Sequence, residues 1–246
     1  MAVEASGCSG RSSSESAIGS FSRRSSPGSP VRASPRQTLF AGRSWAPWSG
    51  CGLTTSTSTY LHRPDPEIPI GDTLGALDEL VRSGKVRAIG CSNFSAEQLA
   101  DADRVAREHG TARFTVLQNH YNLLHRDDDE DVLPLCRELG VAYVPYFPLA
   151  SGLLTGKYRR GQAAPEGARL AGRVIDEDQF DRVEALARFA EEQRHTLHEL
   201  AIAALASTAG VASVIAGATR PEQVRANAAA ASWALSVEDL DALRAV

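Results

Sequence analysis

The feature that most constrains the fold is a repeat that begins at Tyr60. From there, short apolar runs alternate with longer amphipathic ones, and each apolar run ends in a polar or aromatic cluster. His62, Asn93, Gln118 and Tyr146 mark the first four clusters and follow one another at intervals of 31, 25 and 28 residues. A strand, a helix and their two loops occupy roughly 30 residues, so the interval is that of a βα unit. Strict alternation requires parallel strands, because a parallel pair needs a long crossover where an antiparallel pair needs only a tight turn. In sheets of this class, ligand chemistry gathers just past the carboxyl ends of the strands, where these clusters lie.

Local signals divide the rest of the chain. A strand at Tyr60–His62 is stopped by Arg63-Pro64-Asp65-Pro66. Asp72 then caps a helix that carries Leu74, Leu77, Leu80 and Val81 at helical spacing and closes at Ser83-Gly84. The strand Val86–Ile89 runs into Gly90–Phe94, and Ser95 caps a helix over Ala96–His109. Phe114–Leu117 runs into Gln118–Asn122, and a helix over Asp131–Leu139 stops at Gly140. Val141–Val144 runs into Pro145–Leu149. Beyond a Gly-rich loop, the spacing predicts helices over 178–193 and 196–207, and a fifth strand at Val211–Ile215 leading to Gly217. A helix from Pro221 to about Ala231 and a last one over Val237–Arg244 complete the chain.

The chain ahead of Tyr60 is of another kind. Residues 1–60 hold 16 Ser, 7 Gly, 6 Arg and 4 Pro, with Glu4 and Glu15 as the only acids. Residues 1–59 contain no Asp, Lys, His, Asn or Tyr and show no clear apolar period. Such a segment cannot bury enough apolar surface to offset its ordering entropy. Residues 1–59 are therefore expected to be disordered, either as a tail or as translation in a wrong frame, with a structured domain over 60–246. Arg- and Ser-richness also suits a transit peptide, but the Gly and Pro content works against the amphipathic helix one needs.

A formal net charge of -4, with 23% charged residues, gives no electrostatic reason to bind nucleic acid or an anionic membrane. No stretch approaches the roughly 18 apolar residues of a span, and the expected compartment is the cytoplasm. Cys8, Cys51, Cys91 and Cys136 form no Cys-x-x-Cys pair and have no His at zinc spacing, so they read as free thiols with no metal site.

Several apparent motifs carry little. Gly152-Leu-Leu-Thr-Gly156-Lys157 is one residue short of a phosphate loop, and Tyr158 stands where a Ser or Thr would meet magnesium. His195 and His198 share a helical face without a third metal ligand, and Asp127–Asp131 lacks the Gly and closing Glu of a calcium loop. Taken alone, Ser92-Asn93 reads as a helix start and Gln118 as a satisfied strand-end amide.

Five stretches together say more. Leu61-His-Arg-Pro-Asp65, Gly84–Phe94, Val116–Leu124, Pro145–Tyr158 and Val214–Asn227 occur in order, each at a strand end. In these stretches residues 60–246 resemble the aldo/keto reductases, above all the bacterial branch related to potassium-channel β-subunits. The resemblance implies an α/β fold, namely the last five βα units of a (β/α)8 TIM barrel. It also implies NADP(H) as cofactor, an aldehyde or ketone as small-molecule substrate, and reduction to an alcohol. By the same resemblance Ser92, Asn93 and Gln118 would hold the nicotinamide carboxamide, and Tyr146 would stack on its ring. Gly217 would admit the cofactor to the backbone, Arg220 would meet a 2′-phosphate, and Gln223 and Asn227 would reach the adenosine end. The family's catalytic Tyr, Lys, Asp and His are represented here by His62 alone, since residues 1–59 contain no Tyr, Lys or Asp. The chain is therefore expected to lack turnover as it stands, the alternative being a non-catalytic fragment or a nucleotide-binding module. Neither the particular substrate nor the oligomeric state is legible.

Overall fold

Parallel pairing begins at Ser56. The computed structural model describes residues 55–246. Within them β1 (Ser56–Leu61), β2 (Val86–Ser92), β3 (Phe114–Gln118) and β4 (Ala142–Tyr143) form one parallel sheet in that order. The strands are linked by α1 (Ile70–Arg82), α2 (Ala96–His109) and α3 (Val132–Leu139). After β4 come α4 (Glu177–Glu192), α5 (Leu197–Ser207), α6 (Pro221–Ala230) and α7 (Val237–Arg244). Among the described residues no helix is long and apolar enough to cross a membrane.

Each helix start has a local cause. Ser95 accepts from the Gln98 backbone while the Gln98 side chain accepts from the Ser95 N–H, and Thr196 with Glu199 and Ser236 with Asp239 repeat the arrangement. Asp131 and Asp176 cap α3 and α4 with a single bond each. Asp72 does not cap α1. That helix starts at Ile70 behind Pro69, and Asp72 lies in its first turn, where a carboxylate favours the positive end of the helix dipole.

Two strand expectations also change. β1 starts at Ser56, so residues 56–59 are strand and the boundary expected at 59/60 falls inside it. The Ser-Thr-Ser-Thr run has no apolar period to reveal it, yet Ser56 pairs with Val86 and its N–H donates to the Lys85 carbonyl at 2.9 Å. The remainder of the segment expected to be disordered, residues 1–54, lies outside the described residues.

The fifth strand is reduced to isolated bridges, Tyr143 with Val211 and Tyr146 with Ile215. Ala212 donates to the Tyr143 carbonyl and Ile215 to the Pro145 carbonyl, so three residues on one side span two on the other. That mismatch is a bulge, which breaks the ladder. β4 itself is two residues long, with Val144 and Tyr146 still donating to the Leu117 and Asn119 carbonyls beyond it, and the N–H that Pro145 lacks is lost from the Val211–Ile215 side.

The register sets the two faces of the sheet. Leu61, Cys91, Leu117 and Tyr143 form one row, and the last three are fully buried. Their face is the helix-covered one, since Cys136 of α3 lies close enough to add to the upward push that burial gives the Cys91 thiol and the Tyr143 phenol. Tyr60, Gly90, Val116 and Ala142 form the neighbouring row on the opposite face. A Cβ on Gly90 would come within 2.6 Å of Val116 Cγ1 and 2.8 Å of the Tyr60 ring, so only glycine fits between them. Ile89 pairs with Phe114 and Gly90 with Val116, which leaves Thr115 as an extra residue in β3. Phe114 meets Phe94 edge to face at 5.7 Å, and Leu117 lies in the row that faces the helices.

The helix layer is apolar where it meets the sheet, through Leu74, Leu77 and Leu80, Leu99, Ala102 and Ala106, and Val132, Leu133 and Cys136. α5 is buried nearly all round, from Leu200 to Leu205. Full burial of one such leucine contributes about 1.5–3 kcal/mol. α6 is the opposite case, with Ala230 its only buried residue.

Candidate functional site

The strand ends meet at Asn93. At φ 60° it adopts the left-handed conformation that asparagine tolerates better than most residues. Its N–H donates to the Gln118 carbonyl at 3.1 Å, which ties the end of β2 to that of β3. The left-handed turn sends the side chain back across the sheet. There Nδ2 donates to the His62 carbonyl at 2.9 Å and to Ser92 Oγ at 3.1 Å, and Oδ1 accepts from the Tyr146 hydroxyl at 2.6 Å. Ser92 Oγ in turn donates to the Gln118 carbonyl at 2.6 Å, with Ser92 only 1% exposed. His62, Ser92, Asn93, Gln118 and Tyr146, chosen from four separate stretches, are thus one hydrogen-bonded set. His62 is exposed beside it and bonds Asn93 through its backbone carbonyl.

Asn119 was missed by sequence reasoning, because one more amide past a strand end carries no distinguishing signal. Its side chain accepts from the Phe94 N–H at 3.2 Å and donates to the Phe94 carbonyl at 2.9 Å, clasping the loop that presents Asn93. It also donates to Asp128, which accepts the Tyr143 hydroxyl too. Burial pushes the Asp128 carboxyl upward from the usual range, against the pull of those two donors. The acidic run at 127–131 is therefore partly structural, with Tyr121 bonded to Asp129 at 2.6 Å.

An aromatic group borders the set. The His120 ring stacks on His125 at 4.2 Å and lies parallel to Tyr146 at 5.6 Å. Burial, with His125 alongside, holds the His120 imidazole below the usual histidine range. Phe147 is half exposed at φ 58°, an uncommon backbone for a bulky side chain. Asn122 Nδ2 holds it there through the Phe147 carbonyl at 3.1 Å.

The second group of expected residues continues from the same edge. Ile215 bridges to Tyr146, and Gly217 follows two positions later with open space where a Cβ would stand. Arg220, exposed, precedes α6. With Ala218, Thr219, Pro221, Val224 and Arg225 it lines a shallow cavity of about 450 Å³. Gln223 and Asn227, expected to reach the adenosine end, are both bonded within the protein. Gln223 Oε1 turns back to accept from Thr219 and Arg220 N–H groups at 2.7 and 3.3 Å, and Asn227 Oδ1 meets His198 Nε2 at 2.8 Å.

The fit of these residues to a dinucleotide differs between the two ends. Near α6, two guanidiniums and an open glycine leave room for a phosphate-bearing ligand. At the strand ends, both Asn93 amide hydrogens and the Ser92 hydroxyl are engaged within the protein. A carboxamide there would have to share the second lone pair of Asn93 Oδ1 or displace an existing partner.

Other features bear less on the site. A second cavity of about 450 Å³, lined among others by Tyr158, Leu170, Ile175 and Phe180, contains none of the expected site residues. Lys157 lies across Gly152 and over the Tyr158 ring rather than in a phosphate cradle. Among the described residues no group of three or more His, Cys, Asp or Glu could hold a metal. Cys91 and Cys136 are buried free thiols, and burial pushes Cys136 up to about 12.

Comparison with known proteins adds to this geometry. The model of the aldo/keto reductase family matches residues 52–246. The chain is 38% identical over 177 residues to a probable voltage-gated potassium channel subunit beta of Arabidopsis thaliana, covering 68% of this chain and 54% of that protein. It is 35% identical over 181 residues to the NADH-specific methylglyoxal reductase of Escherichia coli, covering 72% and 53%. It is 32% identical over 188 residues to a probable aldo-keto reductase 1 of Glycine max, covering 74% and 52%. The chain spans about half the length of the curated relatives it matches.

Proposed function

The chain belongs to the aldo/keto reductase family, and from that premise we propose that residues 56–246 form the cofactor side of an NADP(H)-dependent site that reduces aldehydes or ketones to alcohols. The observation that carries this reading is the Asn93 set, which gathers the ends of three strands and Tyr146 at one edge of the sheet. In this reading the sheet is the surviving arc of a (β/α)8 barrel, whose chemistry sits at the carboxyl ends of its strands.

When bound, NADPH supplies the hydride. The chain's own residues orient and hold it. Tyr146 offers a ring face to the nicotinamide, with the ring's rotation fixed by the bond from its hydroxyl to Asn93. Ser92, Asn93 and Gln118 present the polar edge for the carboxamide, held in place by Asn119. Gly217 leaves the backbone open, Arg220 and Arg225 supply positive charge for a 2′-phosphate, and Gln223 and Asn227 flank the adenosine. The two guanidiniums are our reason for preferring NADP(H), although the Escherichia coli relative is named as NADH-specific. In this reading His62, exposed just past β1, would orient a substrate carbonyl.

Reduction also needs a proton donor at the developing alkoxide, worth about 10²- to 10⁴-fold in rate. Residues 1–59 hold no Tyr, Lys or Asp to serve, so we read these 246 residues alone as binding cofactor without turnover. Free buried thiols fit the reducing cytoplasm that we propose for it. The test is NADPH titration by tryptophan fluorescence, alongside an aldehyde-dependent NADPH oxidation assay. Saturable quenching without turnover is expected. Absence of binding sinks the cofactor reading, and a turnover number within tenfold of the enzyme median of about 10 s⁻¹ sinks the inactive one.

A further inference from the structure

Asn227 stands on a helix that does little to hold it. α6 buries only Ala230, so packing leaves the rotation of side chains on its other faces undetermined. A primary amide in that position can offer a donor or an acceptor by a half turn, and its ligand preference changes with the choice. Here the choice is made from outside the helix. His198, on α5, brings Nε2 to 2.8 Å from Asn227 Oδ1. α5 is a rigid base for it, with Leu197, Leu200 and Ala201 buried around His198. A ring nitrogen facing a carbonyl oxygen must carry hydrogen, and both the neutral Nε2–H tautomer and the imidazolium satisfy this.

We propose that His198 is a positioning residue for Asn227, bonding its Oδ1 and so fixing the rotation of the amide, with the Nδ2 donors turned to the cofactor. This inference rests on the reading that places the adenosine end beside α6. The amide would then suit the acceptor atoms of an adenosine phosphate, its ring nitrogens or its ribose and phosphate oxygens. The exocyclic amino group, which needs an acceptor, would have to share the remaining lone pair of Oδ1. A tether between α5 and α6 is the bland alternative, and it would show in stability but not in ligand preference.

Calorimetric titration of the full chain with adenosine 2′,5′-bisphosphate separates these readings. His198→Phe, which keeps the ring's bulk but cannot donate, is expected to weaken binding roughly tenfold, while His198→Gln, which can still donate, stays within about twofold of the parent. Affinity for reduced nicotinamide mononucleotide should be unchanged in both. If Asn227→Ala weakens binding and His198→Phe does not, or if Phe and Gln weaken it equally, the positioning role is overturned while the cofactor reading stands. If neither Asn227→Ala nor His198→Phe changes binding, or the parent binds no bisphosphate, the cofactor reading fails at this end and the inference fails with it. Nitrogen-15 NMR of the unaltered chain gives a measurement that needs no variant. Nε2 of His198 should be protonated at neutral pH, and an unprotonated Nε2 overturns the proposal.

Discussion

Tyr146 and Asn93, 53 residues apart in the chain, are joined by a hydrogen bond of 2.6 Å from the phenol to the amide oxygen. The same amide bonds the His62 carbonyl and Ser92, so the phenol closes a network rather than adding an isolated contact. Tyr146→Phe should destabilise the chain by about 1 kcal/mol, and Asn93→Ala by more, because it strands several partners at once and also places a less tolerant residue at positive φ. Urea denaturation of the two variants and of the double variant checks this. Strict additivity would show that the two residues are not coupled.

Gly90 is a steric requirement of the sheet. Gly90→Ala places a methyl 2.6 Å from Val116 and 2.8 Å from the Tyr60 ring, and a loss of roughly 1–3 kcal/mol is expected. Val116→Ala in the same chain should return part of that loss by making room. Thermal melts of the three variants decide it, and an unperturbed Gly90→Ala melt would contradict the packing described.

Acidity should act on His120. Its imidazole is held below the usual histidine range by burial and by His125, so it favours the neutral form in the folded chain. As pH falls through the unfolded histidine value of about 6.5, the unfolded chain takes up a proton that the folded chain resists, and stability is lost until the folded value is passed. Stability contributed this way is fully present above the unfolded value. His120→Phe keeps the stack with Tyr146 and removes the proton site. Its melting temperature should fall less than the parent's between pH 7.5 and 5.5, and equal falls would refute the assignment.

Cofactor choice should depend on Arg220. Arg220→Ala is expected to weaken NADPH binding about five- to tenfold and to leave NADH binding nearly unchanged, since only NADPH carries the 2′-phosphate that a guanidinium grips. Competitive titration with the two cofactors measures the ratio. Equal losses for both would place the phosphate elsewhere.

The βα order and four strand-end positions, His62, Asn93, Gln118 and Tyr146, were legible because hydrophobic spacing and strand-end position are local signals, whereas Ser92 came only with the family resemblance. Ser95 announced its helix for the same reason, through a side chain that bonds the residue three positions on, while Thr196 and Ser236 turn out to do the same at helices that spacing alone indicates. What escaped was non-local. Ser56–Thr59 reads as polar tail until Val86 and its neighbours are beside it. The weak bridge at Val211–Ile215 depends on a mismatch of spacing against Tyr143–Pro145 that neither stretch reveals alone. Asn119 and His198 look like ordinary surface polar residues, and their roles exist only because Phe94 and Asn227 are folded against them.

Thr115 leaves a consequence for how the sheet tolerates change in length. As the one unpaired residue of β3, with its hydroxyl bonded to the Ile89 carbonyl at 3.2 Å, it is a residue that the pairing does not count. Deleting it would set Phe114 and Val116, then consecutive, opposite the consecutive Ile89 and Gly90, and every pair from there to Ser92 and Gln118 would be kept. A second deletion in β3 would have no surplus residue to absorb it, and Gln118 would move out of step with Ser92, which would lose the carbonyl it grips. The strand thus carries a reserve of one residue ahead of the strand-end site.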